Sequence, residues 1–294
     1  MIDAIFSLAF VAQVIGIVVP YVLAALGGAI TERAGVIDLA LESKLLFGAF
    51  AAAAVAHATG SAHAGVVGGA VAGMIVAAVQ VACALWLEAD QVIVGIALNI
   101  LGLAGTRFLM QIIYHEGANT PQGPSYGDAL VTNPLVIGAL IAAVVVPLAL
   151  VHTRWGLRAR AAGDRPDALV AVGVSPRNVR LDTALVGGAL AGAGGAQLSL
   201  PVGFFHADMS SGRGYFAVAM VILAGWRPAL AAIACLGIAI ADALGTQLQL
   251  FRPTIAGHHI PIELAPLLPY LLTLVALVVW SGRSRKPPSA LGKL

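Results

Sequence analysis

Asp38, Glu42 and Lys44 lie close together in an otherwise apolar stretch, Asn99 lies in a second such stretch and Asp242 in a third. Polar and ionisable groups cut off from water are costly unless they are paired or meet a polar ligand, so all five are candidates for a solute path. On an ideal helix Asp38 and Glu42 fall on one face at i and i+4, whereas Lys44 points about 200° away from Glu42. Glu42 and Asp38 then either hydrogen-bond a polar solute or serve structure, bonded to Arg33 or to backbone groups freed at a helix break. Lys44 either neutralises Glu42 within an irregular helix or meets an anionic solute. The Asn99 amide suits the edge of a nucleobase or a sugar hydroxyl, and equally an interhelical hydrogen bond. Asp242 requires a partner.

Other chemistry is weakly represented. The sequence carries no Gly-x-x-x-x-Gly-Lys-Ser/Thr phosphate loop, so any ATP hydrolysis belongs to another subunit. His206, Asp208, His258 and His259 match no metal-ligand spacing and read as loop residues. Cys83 and Cys235 lie in apolar runs, where a thiol behaves as a small hydrophobe. These features point away from an enzyme, a metal site and a disulfide framework, and no basic stripe suggests nucleic acid.

The elements that must position these residues follow from composition. The 294 residues are 60% hydrophobic and only 10% charged, against about a quarter charged in soluble domains. This fits an all-α polytopic transmembrane bundle, and the 34 glycines fit closely approaching membrane helices. With about 20 apolar residues per span, spans are expected near 5–29, 36–58, 64–87, 92–113, 133–151, 181–202, 214–226, 228–250 and 263–281. Pro20 interrupts the first, charges break the second and the seventh is short; such helices border cavities in transporters. Residues 1–282 form the membrane domain and 283–294 a disordered polar cytoplasmic tail.

Arg154, Arg158, Arg160, Arg165, Arg177 and Arg180 cluster in one loop, and Arg283, Arg285, Lys286 and Lys293 in the tail. Both segments are expected to be cytoplasmic, and the four spans between them satisfy that parity. The loop from Tyr114 to Asn133 and the N-terminus then lie outside. Within the arginine-rich stretch 155–180, Asp164, Arg165, Pro166 and Asp167 begin a short helix, with proline early and acids at the positive dipole end. Ala168 to Val172 continue it and Gly173 ends it. Such a helix either docks into a groove on a soluble partner or lies on the membrane as a connector.

This stretch resembles the central region of permease subunits of ATP-binding-cassette importers, in the branch serving branched-chain amino acids, simple sugars and nucleosides. The resemblance rests on Gly156, Leu157, Arg160, Ala161 and Gly163, then Val172, Gly173 and Val174, then the glycine-rich run from Gly187 to Gly195. Glu32 to Leu39 with Leu41 and Glu42, Gly212 to Tyr215, and Gly225 to Pro228 resemble further elements of the nucleoside-type permeases, in the same order. The family usually has Gly-Met where this chain has Ser43-Lys44.

The resemblance implies a dimer of permeases, with itself or with a second permease, in the bacterial cytoplasmic membrane. Cytoplasmic ATP-binding subunits would hold ATP and magnesium, an external solute-binding protein would deliver the solute, and this chain would bind no cofactor. It implies ATPase coupling through Gly163, Asp164, Arg165, Pro166, Asp167, Ala168, Ala171 and Gly173. A nucleoside or nucleobase-like solute is the leading expectation, with simple sugars and anionic purine derivatives as alternatives. A secondary carrier using Asp38, Glu42 or Asp242 as its coupling acid is a further alternative.

Overall fold

The computed structural model describes residues 8–127, 133–251, 254–255, 258–259, 267–280 and 286–293. Among these residues eleven helices carry the fold: α1 (Leu8–Arg33), α2 (Leu41–Thr59), α3 (Ala62–Leu85), α4 (Gln91–Tyr114), α5 (Pro134–His152), α6 (Arg154–Asp164), α7 (Pro166–Ala171), α8 (Pro176–Ser199), α9 (Arg213–Leu223), α10 (Pro228–Phe251) and α11 (Leu268–Trp280). The strands among the described residues are two antiparallel pieces, β1 (Thr254–Ile255) and β2 (His258–His259), so the all-α expectation holds in substance. Among the described residues α1 to α5 and α10 are long and apolar enough to cross a membrane. Helix α8 matches α3 in length, but Arg177, Arg180 and Asp182 occupy its first turns.

Helix α8 is the axis of the bundle, packing against α1, α2 and α3. Its glycines allow this. Gly187 abuts Gly27 of α1, Gly192 abuts Gly48 of α2 and Gly69 and Gly73 of α3, and Gly195 abuts Leu45 and Ala49 of α2. A Cβ on Gly192 would lie 2.9 Å from the Gly73 Cα and closer still to the Gly69 carbonyl oxygen. In lipid, where no hydrophobic drive pulls helices together, such close backbone contact supplies packing energy.

Several expected boundaries move. Pro20 lies inside α1 and does not end it. The second span is broken earlier than its charges suggest: α1 closes at Arg33, the chain crosses 36–38 without helix, and α2 begins only at Leu41. Asp38 is therefore not one helical turn below Glu42. The short seventh span is α9, 11 residues long and preceded by the turn-rich stretch 200–212. That stretch pairs with the loop after α4 through Thr120 N–H to the Phe205 carbonyl at 2.9 Å and Gly123 N–H to the Gly203 carbonyl at 2.8 Å.

The tail is also corrected. Residues 286–293 are docked rather than disordered: Ala290 N–H donates to the Gly163 carbonyl at 2.8 Å and Gly292 N–H to the Gly35 carbonyl at 3.0 Å. The Ser289 hydroxyl donates to the Asp164 carbonyl. Buried Arg180 joins the three strands of this contact, donating to the carbonyls of Ala34 and Ala162 at 3.3 Å each and of Lys293 at 3.0 Å. Polar segments that find backbone partners do not stay loose. The C-terminal ends of α1 and α6, the start of α8 and the tail thus share one end of the bundle.

The glycine contacts predict a contrast. Gly192→Ala lowers stability by about 1–3 kcal/mol by overpacking, whereas Gly138→Ala, with nothing within 4 Å of the added methyl, raises it by up to about 1 kcal/mol. Thermal unfolding in detergent, followed by tryptophan fluorescence, checks both.

Candidate functional site

The break before α2 sets the geometry of the site. Gly95 of α4 lies against Leu39, and Gly102 against Ser43. At 1.5 Å per residue Gly102 stands about 16 Å along α4 from Gln91, so α2 begins near the middle of a ~30 Å hydrocarbon layer. Its freed backbone groups find partners, as the absence of water demands. Asn99 accepts from the Ser43 N–H at 3.0 Å and donates to the Leu39 carbonyl at 2.7 Å. Gln91 accepts from the Ile37 N–H at 2.7 Å, and Gln80 donates to the Ile37 carbonyl at 3.0 Å. The Asn99 amide is thus occupied by the break itself.

Glu42 stands in the first turn of α2 and reaches the beginning of α9. Its carboxylate accepts from the Gly212 N–H at 2.9 Å, the Gly214 N–H at 2.6 Å and the Ser210 hydroxyl. An acid at a helix N-terminus meets unpaired N–H groups and the positive end of the macrodipole, and here it does so from a different helix. Gly214 is required, because a Cβ there would run into the Glu42 backbone. Residues 172 positions apart are locked together.

Asp38 and Lys44 form a second, separate pair at 2.5 Å, both wholly buried. Lys44 therefore meets Asp38 rather than Glu42. The straight-helix geometry misplaced this contact, because the chain ahead of Leu41 is unwound and folds the Asp38 side chain beside the first turn of α2. The pair is tied to the far end of α1 through Glu32, which accepts from the Asp38 N–H at 3.3 Å and from the Trp226 indole at 2.5 Å. Arg33 is not the partner of either acid.

Asp242 stands in the middle third of α10 and behaves differently. Its carboxylate is 3.4 Å from the Tyr21 hydroxyl and 3.9 Å from the Arg213 guanidinium, and the two charged side chains are 28% and 24% exposed. Arg213 also donates to the Met209 carbonyl at 3.1 Å, while its buried Nε has no partner. These residues border a cavity of about 170 Å³ with Ser211, Phe216, Thr246 and Tyr270. Phe216 contacts Tyr21 edge-on at 6.2 Å and Tyr270 at 4.8 Å between ring centres. Sequence reasoning named Asp242 but gave no role to Tyr21, Arg213 or Tyr270. The signal for Arg213 was its place in the Gly212 to Tyr215 element.

At the shared end of the bundle, α7 follows α6 after a kink at Arg165. Leu169 packs on Ala34 and Ala162, while Val170 and Val172 are 61% and 72% exposed. Asp164, Arg165, Asp167, Ala168, Ala171 and Gly173 are exposed, Pro166 is half-buried, and Gly163 is buried against the Arg33 carbonyl.

No group of three metal-ligating side chains occurs among the described residues. The side chains of His258 and His259 lie outside the described residues. The loop after α4 carries Gly123-Pro124-Ser125-Tyr126-Gly127, a Gly-x-Ser-x-Gly spacing that sequence reasoning passed over. It lies in an irregular loop rather than the strand-to-helix turn that exposes a hydrolase nucleophile.

A family model for the branched-chain amino acid transport system permease component matches residues 10–277. The chain belongs to this family. It is a permease component, not an enzyme. It is 28% identical to a guanosine ABC transporter permease protein of Bacillus subtilis and 27% identical to a nucleoside ABC transporter permease protein of Lactococcus lactis, in each case over 91% of this chain and 90% of the relative. A putative glucose ABC transporter permease protein of Haloferax volcanii is 35% identical over 77% of this permease and 74% of its own length. No solved structure matches the permease.

The buried pair yields a prediction. Lys44→Met alone costs about 3–5 kcal/mol, because it strands a buried carboxylate, and adding Asp38→Asn recovers most of that loss. A double-mutant cycle on thermal stability in detergent measures the coupling.

Proposed function

We propose that this permease forms the path for a nucleoside or nucleobase-like solute in an ATP-driven importer. Two cytoplasmic ATP-binding subunits, a second permease of the same or a related sequence and an external solute-binding protein complete the machine, and ATP and magnesium stay on the ATP-binding subunits. The reading rests first on the likeness, over most of the chain, to permeases named for nucleoside transport. The glucose-named relative keeps simple sugars as the second reading.

The structural observation that carries the mechanism is the short helix α7. It and the residue that caps it leave Val170 and Val172 unburied beside the arginines of α6, at the end of the bundle that also holds the tail. The concentration of Lys and Arg there supports a cytoplasmic placement of that end. An exposed apolar rim on a short helix fits a groove in a soluble ATPase. Motion there is transmitted inward, because Leu169 packs on Ala34 and Gly163 on the Arg33 carbonyl, at the root of the unwound segment. That segment leads to Asp38, Glu42 and the start of α9. Asp38, Glu42, Lys44 and Asn99 accordingly shape the path by holding its broken helices, and Asp242 faces the cavity.

Reconstitution of the full complex in proteoliposomes tests this. ATP-dependent uptake of labelled nucleosides is expected to exceed that of glucose, and Ala168→Trp combined with Val170→Asp is expected to lower solute-stimulated ATP hydrolysis at least about tenfold, the scale of 1.4 kcal/mol of lost coupling. Glucose preferred over every nucleoside overturns the solute reading, and undiminished ATP hydrolysis overturns the role of α7.

A further inference from the structure

The two ion pairs among the described residues differ in spacing and exposure. Lys44 and Asp38 touch at 2.5 Å with neither exposed. Arg213 and Asp242 stand 3.9 Å apart, too far for a direct hydrogen bond, with about a quarter of each side chain accessible. Tyr21 completes the Asp242 side at 3.4 Å, a long contact, and the Arg213 Nε has no partner at all. The donors and the acceptor of this second pair are thus incompletely used.

The surroundings say what faces them. Asp242 lies in the middle third of α10, and Arg213 adjoins Gly214, which seats on Glu42 near mid-membrane. Charged groups at that depth do not face hydrocarbon, so the exposed side of the cavity faces water or protein. On the same cavity Phe216 is buried and fixed between Tyr21 and Tyr270, while Tyr270 is 52% exposed and presents an aromatic surface. Thr246, exposed on the next turn of α10, spends its hydroxyl hydrogen on the Asp242 carbonyl at 3.1 Å and keeps its oxygen lone pairs as acceptors. An aromatic platform beside an acceptor-only carboxylate and a donor-only guanidinium suits a flat polar ring better than a sugar alone.

Resting on the proposed nucleoside path, we propose that this cavity is a solute-binding site selective for guanine-type purines. A carboxylate accepts from two adjacent N–H donors, and a guanidinium donates to adjacent ring-nitrogen and carbonyl acceptors. Guanine offers both sets on its edges: imino and amino hydrogens for Asp242, and the carbonyl oxygen and neighbouring ring nitrogen for Arg213. Adenine turns an acceptor nitrogen toward the carboxylate and lacks the carbonyl. A site built to hydrogen-bond one edge rejects the analogue that leaves its polar groups unpaired. Tyr270 stacks on the ring, and the ribose extends toward Thr246.

The test uses the complete complex in proteoliposomes with labelled guanosine, adenosine and glucose. Wild type is expected to prefer guanosine. Asp242→Asn and Arg213→Gln are expected to lower guanosine kcat/KM by about 10- to 100-fold, the range of hydrogen bonds to charged groups, while adenosine changes by less than about threefold. Tyr270→Leu lowers both nucleosides together, and Arg107→Gln, on the exposed side of α4, leaves uptake unchanged. As a check that does not require the charged variants to fold, Thr246→Cys in a Cys83→Ser background is labelled with a polar maleimide; guanosine slows the labelling and adenosine does not. Equal loss for guanosine and adenosine in the charged variants, or labelling indifferent to guanosine, overturns this site while leaving nucleoside transport standing. A wild-type complex that takes up no nucleoside overturns the proposed function and this inference with it.

Discussion

A helix that starts in the middle of a bilayer leaves N–H groups without partners where no water can supply them. Among the described residues of this permease two such starts occur, at Leu41 and at Arg213, and the fold brings them together. One carboxylate, Glu42, lies between them and accepts from the backbone and hydroxyl of the second. Its charge meets the positive ends of both helix dipoles, which makes an otherwise costly group the stabilising element of the junction. The glycine-lined axis around α8 allows the remaining helices to close on that junction, since Gly48 and Gly195 bring α2 and α8 into backbone contact just above it.

The polar residues around the junction divide by how far they are buried. Asn99, Gln80 and Gln91 hold the unwound segment by its own backbone. Asp38 and Lys44 neutralise one another, and Glu32 links them to Trp226 at the turn before α10. Asp38 Oδ2, Gln80 Oε1 and Gln91 Nε2 also lack a hydrogen-bond partner but are buried, whereas the Arg213 and Asp242 side chains are spaced and about a quarter exposed. Rigid junction and open cavity are adjacent because α9 serves both, with its backbone held by Glu42 and its first side chain turned to the cavity.

The sequence made the membrane class and the broken second and seventh spans legible, because composition and interrupted apolar runs follow directly from what lipid tolerates. It also marked the short helix from Pro166, whose proline and acid are local signals. Which acid meets Lys44 was not legible, since the answer depends on where the helix begins, and no capping side chain stands at Ala40 to announce it. The role of Glu42 could not be read either, because its partners lie about 170 residues away. The tail misled for a related reason. Its prolines, glycine and charges look like loose chain, but its order comes from carbonyls of Gly35 and Gly163 that only the folded bundle presents.

That docked tail bears on how the protein is made. Its contacts draw together the turn after the first helix, the C-terminal end of α6 and, through Arg180, the start of α8. During synthesis the first two spans enter the membrane long before residues 286–293 exist, so this end of the bundle stays unfinished until the tail has been made. A product truncated before Ser289 lacks the contacts that close this end of the bundle.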